Sequence, residues 1–520
     1  MDEHSLSGNS NSDLGQLHEK FEILQRKLAP MWQDIGRQDP GGPIEKANTP
    51  VIVPSLTVDV EQPIIQQQAY EERFLFLIFL LKQPQIRLIY VTSLPVNPNI
   101  VDYYLDLLPG VVASSARKRL FLVSPNDGSP RPLTEKLLER PQLIAHIRSL
   151  IPDLDRAHMV PFNTTDLERE LTVRLGIPMY AADPRFFAFG TKSGSRRIFA
   201  EEGVAHPAGY NDLFSEAQIV ESIAKIMDQE PGLPGVVAKL NEGVGGMGNA
   251  FVDLSNFSSA GSDEARKFFA ARLRQMRFEV KISYEDYIGK VEDGGAIVEA
   301  LIQGDDLRSP SAQLRVTPGG EVQMLSTHDQ LLGGPSGQSY LGARFPANQA
   351  YSWMIMKEAL KIGTRLASEG IVGRFAVDFV VIKDSEGKWQ AYAIEVNLRK
   401  GGTTAPYLTL QYLTDGMYDQ RTGTFLTAHG HPRCYVSSDH VMSDDYRAFT
   451  VEHLFDTVTN HRLHFDHTRQ CGVVLHMMSA IGGYGEFGVT AIAATPLEAQ
   501  ELYDKLLTVL ATETGESQQS

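Results

Sequence analysis

Residues 373–397 read GRFAVDFVVIKDSEGKWQAYAIEVN, and this stretch decides the fold of the region around it. Two apolar runs, at 373–383 and 388–396, are separated by the short polar turn DSEG at 384–387. A turn of this length joins antiparallel strands, so the stretch predicts a β-hairpin. Antiparallel pairing brings polar residues of both strands to one face of the hairpin. The polar residues concerned are Asp378, Glu395 and Asn397.

Two carboxylates and an amide oxygen at one place suit a hard divalent cation. Mg²⁺ is commonly held by one or two carboxylates, while water and nucleotide phosphates complete its octahedron. A buried carboxylate without a cation nearby is costly in free energy. The structural alternative is an ion pair between Asp378 and Arg374 on the same strand, with no metal. We take Asp378, Glu395 and Asn397 as candidate Mg²⁺ ligands.

The residues after the hairpin add a positive charge and two glycines. Arg399 lies two positions after Asn397, and its guanidinium suits bidentate binding of a carboxylate or a developing acyl phosphate. Gly401 and Gly402 follow, and their lack of a side chain lets a substrate approach the main chain. This part of the sequence predicts that Arg399 and Gly401 contact substrate.

An earlier apolar strand ends in a lysine and enters a glycine-rich loop. The strand VVAK at 236–239 is followed by LNEGVGGMG at 240–248, which has four glycines in six residues. Such a loop brings backbone N–H groups against phosphate oxygens, with the lysine ammonium as a point charge. A surface hairpin is the alternative, because the spacing matches neither the P-loop nor the dinucleotide motif. The candidate phosphate contacts are Lys239, Gly243, Gly245, Gly246 and Gly248.

Between these regions lies an apolar strand with acidic residues, AIVEALIQGDD at 296–306. In an adenosine site, Glu299 would accept a hydrogen bond from the exocyclic amine of the base, and Asp306 would bind ribose hydroxyls. The backbone between them would face the base. The alternative is a half-buried strand that leads into an acidic turn, and the segment taken alone fits that alternative better.

The pattern of predicted elements divides the chain. Strands and helices alternate between about 50 and 180, which is typical of a three-layer α/β domain with a largely parallel sheet. From about 184 the pattern changes to α+β. The predicted parts are a partly disordered N-terminal helical extension (1–48), an α/β domain (49–183), a central α+β domain (184–428), a small αβ C-terminal domain (429–510) and a tail (511–520).

Composition excludes several classes of function. The 64 acidic and 48 basic residues give a formal charge of −16, so no global attraction to nucleic acid or anionic lipid is expected. The longest apolar run, Phe74 to Leu81, is far shorter than a membrane span. Two cysteines and a polar N-terminus favour the cytoplasm. We expect small-molecule substrates and no nucleic-acid or membrane partner. The sequence does not decide the oligomeric state, and a homo-oligomer is possible.

Together, these motifs resemble those of the ATP-grasp superfamily in order and spacing over about residues 180–415. The resemblance implies ATP and Mg²⁺ as cofactors, and it adds Lys192 in GTKS as a second phosphate-binding lysine beside Lys239. The other roles it implies are adenine contact for Glu299 and the backbone of Ile302, ribose contact for Asp306, Mg²⁺ binding for Asp378, Glu395 and Asn397, and orientation of an acyl phosphate for Arg399.

A narrower resemblance is to ATP-grasp peptide ligases of the pheganomycin type. The segments RLIYVTSLP at 87–95, GTKSGSRR at 190–197 and YGEFG at 484–488 carry it. It implies a Rossmann-like pre-ATP-grasp domain at 49–183, an ATP-grasp fold of two α+β subdomains at 184–428 and a small αβ C-terminal domain. The implied reaction joins the carboxylate of one amino-acid-like substrate to the amine of another through an acyl phosphate, releasing ADP and phosphate.

Other functions and contacts remain open at this stage. A catalytically silent ATP-binding regulatory protein would not need both lysines, the carboxylates and the arginine. An ATP-grasp carboxylase or acid–thiol ligase is the alternative among enzymes, although no biotinyl-lysine domain is evident. Arg344 is a hypothetical contact for a substrate carboxylate, and a structural salt bridge explains it equally well. The stretch GGPSGQS at 333–339 and the loop at 241–248 are candidate lids.

Overall fold

A computed structural model describes residues 7–36, 47–57, 67–243, 246–257, 261–333, 337 and 339–515, without the side chains of 7–14, 34–36, 262 and 305. The helices are α1 (Ser7–Gln25), α2 (Leu28–Gly36), α3 (Gln67–Glu72), α4 (Pro98–Asp106), α5 (Ala113–Arg117), α6 (Leu133–Leu138), α7 (Pro141–Ser149), α8 (Asp166–Leu175), α9 (Lys192–Glu201), α10 (Glu216–Gln229), α11 (Ser262–Leu273), α12 (Tyr284–Gly294), α13 (Gln349–Ser368), α14 (Thr404–Thr414), α15 (Val451–Asn460), α16 (Ile481–Tyr484) and α17 (Pro496–Thr514). Short 3₁₀ helices lie at Leu75–Lys82, Leu154–Arg156, Pro184–Gly190, Asp444–Ala448 and Met478–Ala480. The strands are β1 (Thr49–Val53), β2 (Leu88–Val91), β3 (Leu120–Val123), β4 (Ala157–Pro161), β5 (Gly209–Leu213), β6 (Gly235–Leu240), β7 (Asn249–Asp253), β8 (Arg277–Phe278), β9 (Ala296–Ala300), β10 (Asp305–Arg308), β11 (Pro310–Val316), β12 (Val322–Gly333), β13 (Ser339–Phe345), β14 (Gly373–Lys383), β15 (Trp389–Asn397), β16 (Met417–Asp419), β17 (Thr424–Leu426), β18 (Cys434–Met442), β19 (Gly472–His476) and β20 (Glu486–Ala493).

The first sheet is parallel and has the strand order β3-β2-β1-β4. Its central strands β1 and β2 are buried at every position, as expected for a parallel sheet with helices on both faces. Apolar residues of α6, α7 and α8 pack on one face, while α4 and the 3₁₀ helix at 75–82 pack on the other. The alternating pattern between 50 and 180 therefore forms three layers.

The helical segment between Gln67 and Lys82 is interrupted after its first six residues. Helix α3 ends at Glu72, and the following apolar run forms a 3₁₀ helix instead of continuing the α-helix. Nearly every residue of that run is buried, so the run has no amphipathic pattern that would mark an α-helix with one exposed face. At the break, Arg73 turns inward and forms a buried ion pair with Asp439 of β18. The interruption thus links the first sheet to the C-terminal strands.

The second sheet is antiparallel, with the order β5-β9-β6-β7-β8, and α10, α11 and α12 pack against it. Strand β6 ends near Lys239, and the glycine-rich loop joins β6 to β7. On the neighbouring strand β9, Glu299 lies opposite Val237, two residues before Lys239. Since side chains alternate along a strand, Lys239 and Glu299 lie on the same face.

The third sheet has the order β10-β14-β11-β12-β13-β18-β20-β19, with β15 also paired to β14. The predicted hairpin is confirmed: β14 and β15 pair antiparallel with Asp378 opposite Glu395. Helix α13 packs on the face formed by Ala312, Leu314 and Val316 of β11. Strands β18 and β20 continue the sheet beyond β13, so the C-terminal segment shares a sheet with the central region. The predicted domain boundaries stay predictions.

Helices α1 and α2 pack against the first sheet. The Gln25 amide exchanges hydrogen bonds with the backbone N–H and carbonyl of Met179 over 2.7 and 3.0 Å. The Trp32 ring stacks on Tyr180 with 4.9 Å between ring centroids. Within the described ranges, no helix combines the length and apolar character needed to cross a bilayer.

Candidate active site

The hairpin of β14 and β15 brings the candidate metal ligands together. Asp378 of β14 lies opposite Glu395 of β15. Asn397 is two residues after Glu395, opposite Ala376, so its side chain is on the same face as those of Asp378 and Glu395. Asn397 Nδ2 donates a hydrogen bond to Asp378 Oδ2 over 2.8 Å. Arg399 Nη1 donates to Asn397 Oδ1 over 2.7 Å. The predicted metal ligands and the predicted catalytic arginine therefore form one connected group.

The electrostatics of this group are dominated by the half-buried carboxylate of Asp378. Burial and the nearby charge of Glu395 raise the pKa of Asp378 to about 6, against the opposing effects of Ser311, Arg399 and Lys192. The only cation within ion-pair distance of Glu395 among the described residues is Lys192, whose Nζ lies 2.7 Å from Glu395 Oε1. A further cation at this face would favour the charged form of Asp378.

Helix α9 delivers Lys192 to this face because it is bonded to both the second and the third sheets. Ser193 Oγ donates to Asn241 Oδ1 over 2.6 Å at the end of β6. Two residues later, Ser195 Oγ accepts a hydrogen bond over 3.0 Å from the backbone N–H of Val396 in β15. These bonds place the first turn of α9 between the nucleotide candidates of β6 and the carboxylates of β15.

Glu299 is buried between two cations. Its Oε2 lies 2.6 Å from Lys239 Nζ, and its Oε1 lies 2.6 Å from Arg196 Nη1. Burial alone would raise the pKa of this carboxyl, but Lys239 and Arg196 outweigh burial and lower it. Glu299 is therefore an ionised carboxylate. An adenine amine at this place would share the carboxylate with the two cations.

The glycine-rich loop is the connection of a β-hairpin. Leu240 N–H donates to Gly248 O over 3.0 Å and closes the loop. Gly246 has φ of 89°, a left-handed conformation that favours glycine. Gly243 also belongs to the described part, whereas Gly245 lies outside the described residues. The loop begins directly after Lys239, as its candidate role requires.

Ile302 and Asp306 follow Glu299 on the path from the second sheet to the third. Ile302 lies in the connection between β9 and β10. Asp306, in β10, is 2.8 Å from Lys383 Nζ and 2.5 Å from Arg308 Nη2. The hydrogen bond from Lys383 leads the contributions that hold the pKa of Asp306 below its ordinary value. The candidate ribose ligand is thus ionised and partly exposed.

Arg344 does not lie at this face. Arg344 of β13 lies opposite Asp329 of β12. The residue after Asp329 in β12 is Gln330, and its side chain bonds to Asp378. Because neighbouring residues of a strand face opposite sides, Arg344 points away from the carboxylates. Its Nη2 donates to Gln500 Oε1 of α17 over 3.0 Å. The contact that the structure shows for Arg344 is therefore structural, and a substrate contact at Arg344 stays a prediction.

The remaining candidates lie in loops. Gly401 follows β15, and a Cβ built there would contact nothing within 4 Å, so the position leaves room for a substrate. Gly402 by contrast lies against the Tyr340 ring, 2.5 Å from where its Cβ would stand. The candidate lid at 333–339 connects β12 to β13, and residues 334–336 and 338 of it lie outside the described ones.

Sequence reasoning missed three contacts. Gln330 Nε2 donates to Asp378 Oδ1 over 2.8 Å, but the two residues are 48 positions apart and no local pattern links them. Arg196 lies four residues after Lys192, which is one helical turn, and this spacing was a usable signal. Ser195 contacts β15 from 201 residues away in the chain, and no local pattern announces such a contact.

The donor set fits Mg²⁺ and a nucleotide. Asp378, Glu395 and Asn397 supply hard oxygen ligands, and the raised pKa of Asp378 marks a carboxylate short of positive charge. Lys192 and Lys239 supply ammonium groups, one paired with Glu395 of the third sheet and the other with Glu299 of the second sheet. Among the described residues, no group of three or more His, Cys, Asp or Glu side chains offers another metal site.

Family comparisons agree with this geometry. A family model described as IQCH-like, ATP-grasp matches residues 186–282 and 262–421. Residues 186–421 form an ATP-grasp domain. A second model, described as the PGM1 C-terminal domain, matches residues 453–506 after the ATP-grasp domain. The predicted superfamily and fold class are confirmed.

Individual relatives and one solved structure extend the comparison beyond the ATP-grasp domain. L-propargylglycine–L-glutamate ligase of Streptantibioticus cattleyicolor is 28% identical over 462 residues, covering 87% of this chain and 91% of the relative. IQ motif-containing protein H of Danio rerio is 24% identical over 386 residues, covering 66% of this chain and 36% of that protein. The biotin carboxylase domain of 2-oxoglutarate carboxylase from Hydrogenobacter thermophilus superposes with a TM-score of 0.53 at 12% identity, covering 88% of this chain and 89% of that chain. The last similarity concerns the fold alone.

Proposed function

We propose that the protein is an ATP-dependent ligase that joins the carboxylate of one amino-acid-like substrate to the amine of another. The reaction passes through an acyl phosphate and releases ADP and phosphate. The observation that carries this proposal is the connected group of Asp378, Glu395, Asn397 and Arg399 facing Lys192. The relative that matches nearly the whole chain is named as a ligase of two amino acids, which supports the amide-forming chemistry.

The nucleotide would lie between the second and third sheets. Lys192 and Lys239 would bind its phosphates with the glycine loop, while Glu299 and the backbone of Ile302 would contact the adenine and Asp306 the ribose. Mg²⁺, held by Asp378, Glu395 and Asn397, would neutralise phosphate oxygens and so lower the repulsion between a carboxylate and the γ-phosphate. Binding of ATP would draw Lys192 from Glu395 towards the phosphates, because both groups compete for the same ammonium.

The chain's own residues would stabilise charge as the acyl phosphate forms. Arg399 is held by Asn397 over 2.7 Å, which aims its guanidinium along the metal-binding face. From there it would bind the oxygens of the acyl phosphate in a bidentate manner. Lys239 would share the phosphoryl charge at the other side of the cleft. The loop at 241–248 would exclude water from the intermediate.

The direct test is release of ADP with pools of carboxylic acids and amines. We expect ADP release only when an acid and an amine are both present. Asp378→Ala and Glu395→Ala should each reduce turnover by at least about a thousandfold while circular dichroism stays unchanged. Glu386→Ala is the matched control and should keep full activity, because Glu386 is an exposed carboxylate whose one ion pair in the described part of the chain is with Lys388.

Other results would overturn the proposal in distinct ways. ATP binding without any substrate-dependent ADP release would identify the silent ATP-binding protein. ADP release that requires bicarbonate, or a thiol in place of an amine, would identify a carboxylase or an acid–thiol ligase. Full activity in both carboxylate variants would contradict the metal assignment.

A further inference from the structure

A second group of cations lies on the same sheet face as the carboxylates but at the opposite end from the nucleotide. On β14, Arg374 is four residues before Asp378, roughly 13 Å away along the strand. Arg315 of β11 lies directly opposite Arg374. Lys400, next to Arg399, extends to the first sheet, where its Nζ donates to the backbone carbonyl of Pro161 over 2.7 Å. We call Lys400, Arg374 and Arg315 the cation pocket.

No carboxylate of the described residues neutralises the cation pocket. Within the described ranges, none of its three members ion-pairs with a carboxylate, and Arg374 Nη1 is buried without any hydrogen-bond partner. Burial and then the charge of Arg374 lower the pKa of Lys400, and burial and then the charge of Arg315 lower the pKa of Arg374. Unpaired buried cations are unfavourable unless an anion joins them.

Neutral donors complete the pocket. Gln313 of β11 lies between Ser311 and Arg315 on the same face, is 2% exposed, and its Nε2 has no partner among the described residues. His158 Nδ1 on the first sheet is likewise buried without a partner. An anion placed here would accept hydrogen bonds from Arg374 Nη1 and Gln313 Nε2, which have no acceptor among the described residues.

Partial exposure gives the pocket access, and α2 covers its outer end. Arg315, Arg374 and His158 are half-buried residues, whereas Lys400 is buried. The Trp32 ring lies 5.1 Å from the Arg315 guanidinium carbon and stacks on Tyr180. The pocket is therefore bounded by the N-terminal extension, the first sheet and the third sheet, away from Lys239 and Glu299.

We propose that the cation pocket binds an unreactive carboxylate of the amino-acid substrate that supplies the amine. This rests on the proposed function, since it places a substrate of that reaction. The nucleotide candidates occupy the other end of the face, so the anion that fills the pocket belongs to the other substrates. The reacting carboxylate must lie near Asp378 and Arg399, which leaves a second carboxylate for the pocket. Guanidinium groups suit a carboxylate in bidentate geometry.

The first experiment compares an amine substrate with its carboxamide in steady-state ADP release, at saturating acid and ATP. The wild-type enzyme should prefer the free carboxylate by at least about tenfold in kcat/KM. In Lys400→Met and Arg374→Gln this preference should fall below about threefold, chiefly through a higher KM for the acidic amine. Arg433→Gln is the matched control, because Arg433 is a buried arginine bonded to the backbone carbonyls of Pro432, Arg469 and Gln470.

The second experiment does not need turnover. Thermal unfolding is followed with saturating Mg-ADP while acetate or inorganic phosphate is added. Acetate should stabilise the wild-type protein more than Lys400→Met, a conservative change of shape that removes the charge. Stabilisation by phosphate but not by acetate would overturn the carboxylate assignment.

The outcomes separate this inference from the proposed function. Equal preference for the free carboxylate in the wild type and in Lys400→Met would overturn the inference while leaving the ligase intact. The inference is also overturned if acetate stabilises both proteins equally. Absence of ligase activity with every pair, together with charge-dependent stabilisation by acetate, would retain a carboxylate site and reject the ligase.

Discussion

Two sets of cations lie in the interior of this molecule, and they differ in what neutralises them. Lys192, Lys239 and Arg196 each lie within 2.7 Å of a carboxylate oxygen of Glu395 or Glu299. The cation pocket has no carboxylate partner among the described residues. The first set borders the nucleotide end of the site, and the second borders the first sheet.

The difference shows how a site for anions is kept stable before they bind. At the nucleotide end, protein carboxylates neutralise the cations. On binding, phosphates would replace the carboxylates as partners of the lysines, and Mg²⁺ would replace a lysine as partner of a carboxylate. At the other end, the cations are held by a backbone carbonyl, an amide and aromatic rings, which do not cancel charge. Removing a carboxylate partner from the first set should therefore lower the free energy of unfolding. Removing a charge from the second set should raise it.

The largest effect is expected from Glu299→Gln. The change leaves Lys239 and Arg196 buried without a counter-charge, which should lower the free energy of unfolding by about 3–5 kcal/mol. Urea unfolding followed by circular dichroism measures it. Glu386→Gln removes an exposed partner of Lys388 and should change stability by less than about 0.5 kcal/mol. If Glu299→Gln lowers the free energy of unfolding no more than Glu386→Gln does, Glu299 does not neutralise Lys239 and Arg196 as described.

The opposite sign is expected for Lys400→Met. Removing an unpaired buried charge at a cost of one hydrogen bond should raise the free energy of unfolding at pH 7 by about 1 kcal/mol. Burial and then the charge of Arg374 lower the pKa of Lys400 from 10.5 to about 7. Between these two values the unfolded chain binds a proton that the folded chain does not, so wild-type stability rises with pH there.

The variant lacks this pH dependence, so its advantage should shrink between pH 7 and 9. Urea unfolding at both pH values, in buffer without added carboxylate or phosphate, measures the difference. Lys388→Met, at an exposed position, is the control and should show no such trend. A variant that is less stable than the wild type at pH 7 and equally so at pH 9 would show that Lys400 is adequately paired.

The nucleotide end of the site was readable from the sequence because its residues fall in short local patterns. The turn at 384–387 fixes the register of β14 and β15 as far as the pair Phe379–Ala393, and a one-residue shift of register after that pair brings Glu395 opposite Asp378. Strand β1 escaped prediction, because a short apolar strand without a flanking turn pattern carries little periodic signal. Strand β13 was hidden by the glycine-rich stretch before it.

The cation pocket was not readable, because its members come from strands and loops far apart in the chain. Lys400 donates to Pro161 across 239 residues, and no local spacing predicts that contact. Arg374 was considered only as a partner for Asp378, four residues away on the same strand. The structure instead gives Asp378 hydrogen bonds from Gln330 and Asn397. Tertiary packing of the first sheet against the third decides which charges remain unpaired.

The smallest and most local effect concerns His158. Burial and then the charge of Lys400 lower its pKa to about 4. In Lys400→Met the burial remains and the repulsion is lost, so the pKa of His158 should rise. Two-dimensional NMR of protein with labelled histidine, titrated between pH 4 and 7, follows the ring signal, which His158→Gln assigns by its disappearance. Lys388→Met should leave that signal unchanged. If Lys400→Met also leaves it unchanged, Lys400 does not act on the first sheet, and the cation pocket is not one electrostatic unit.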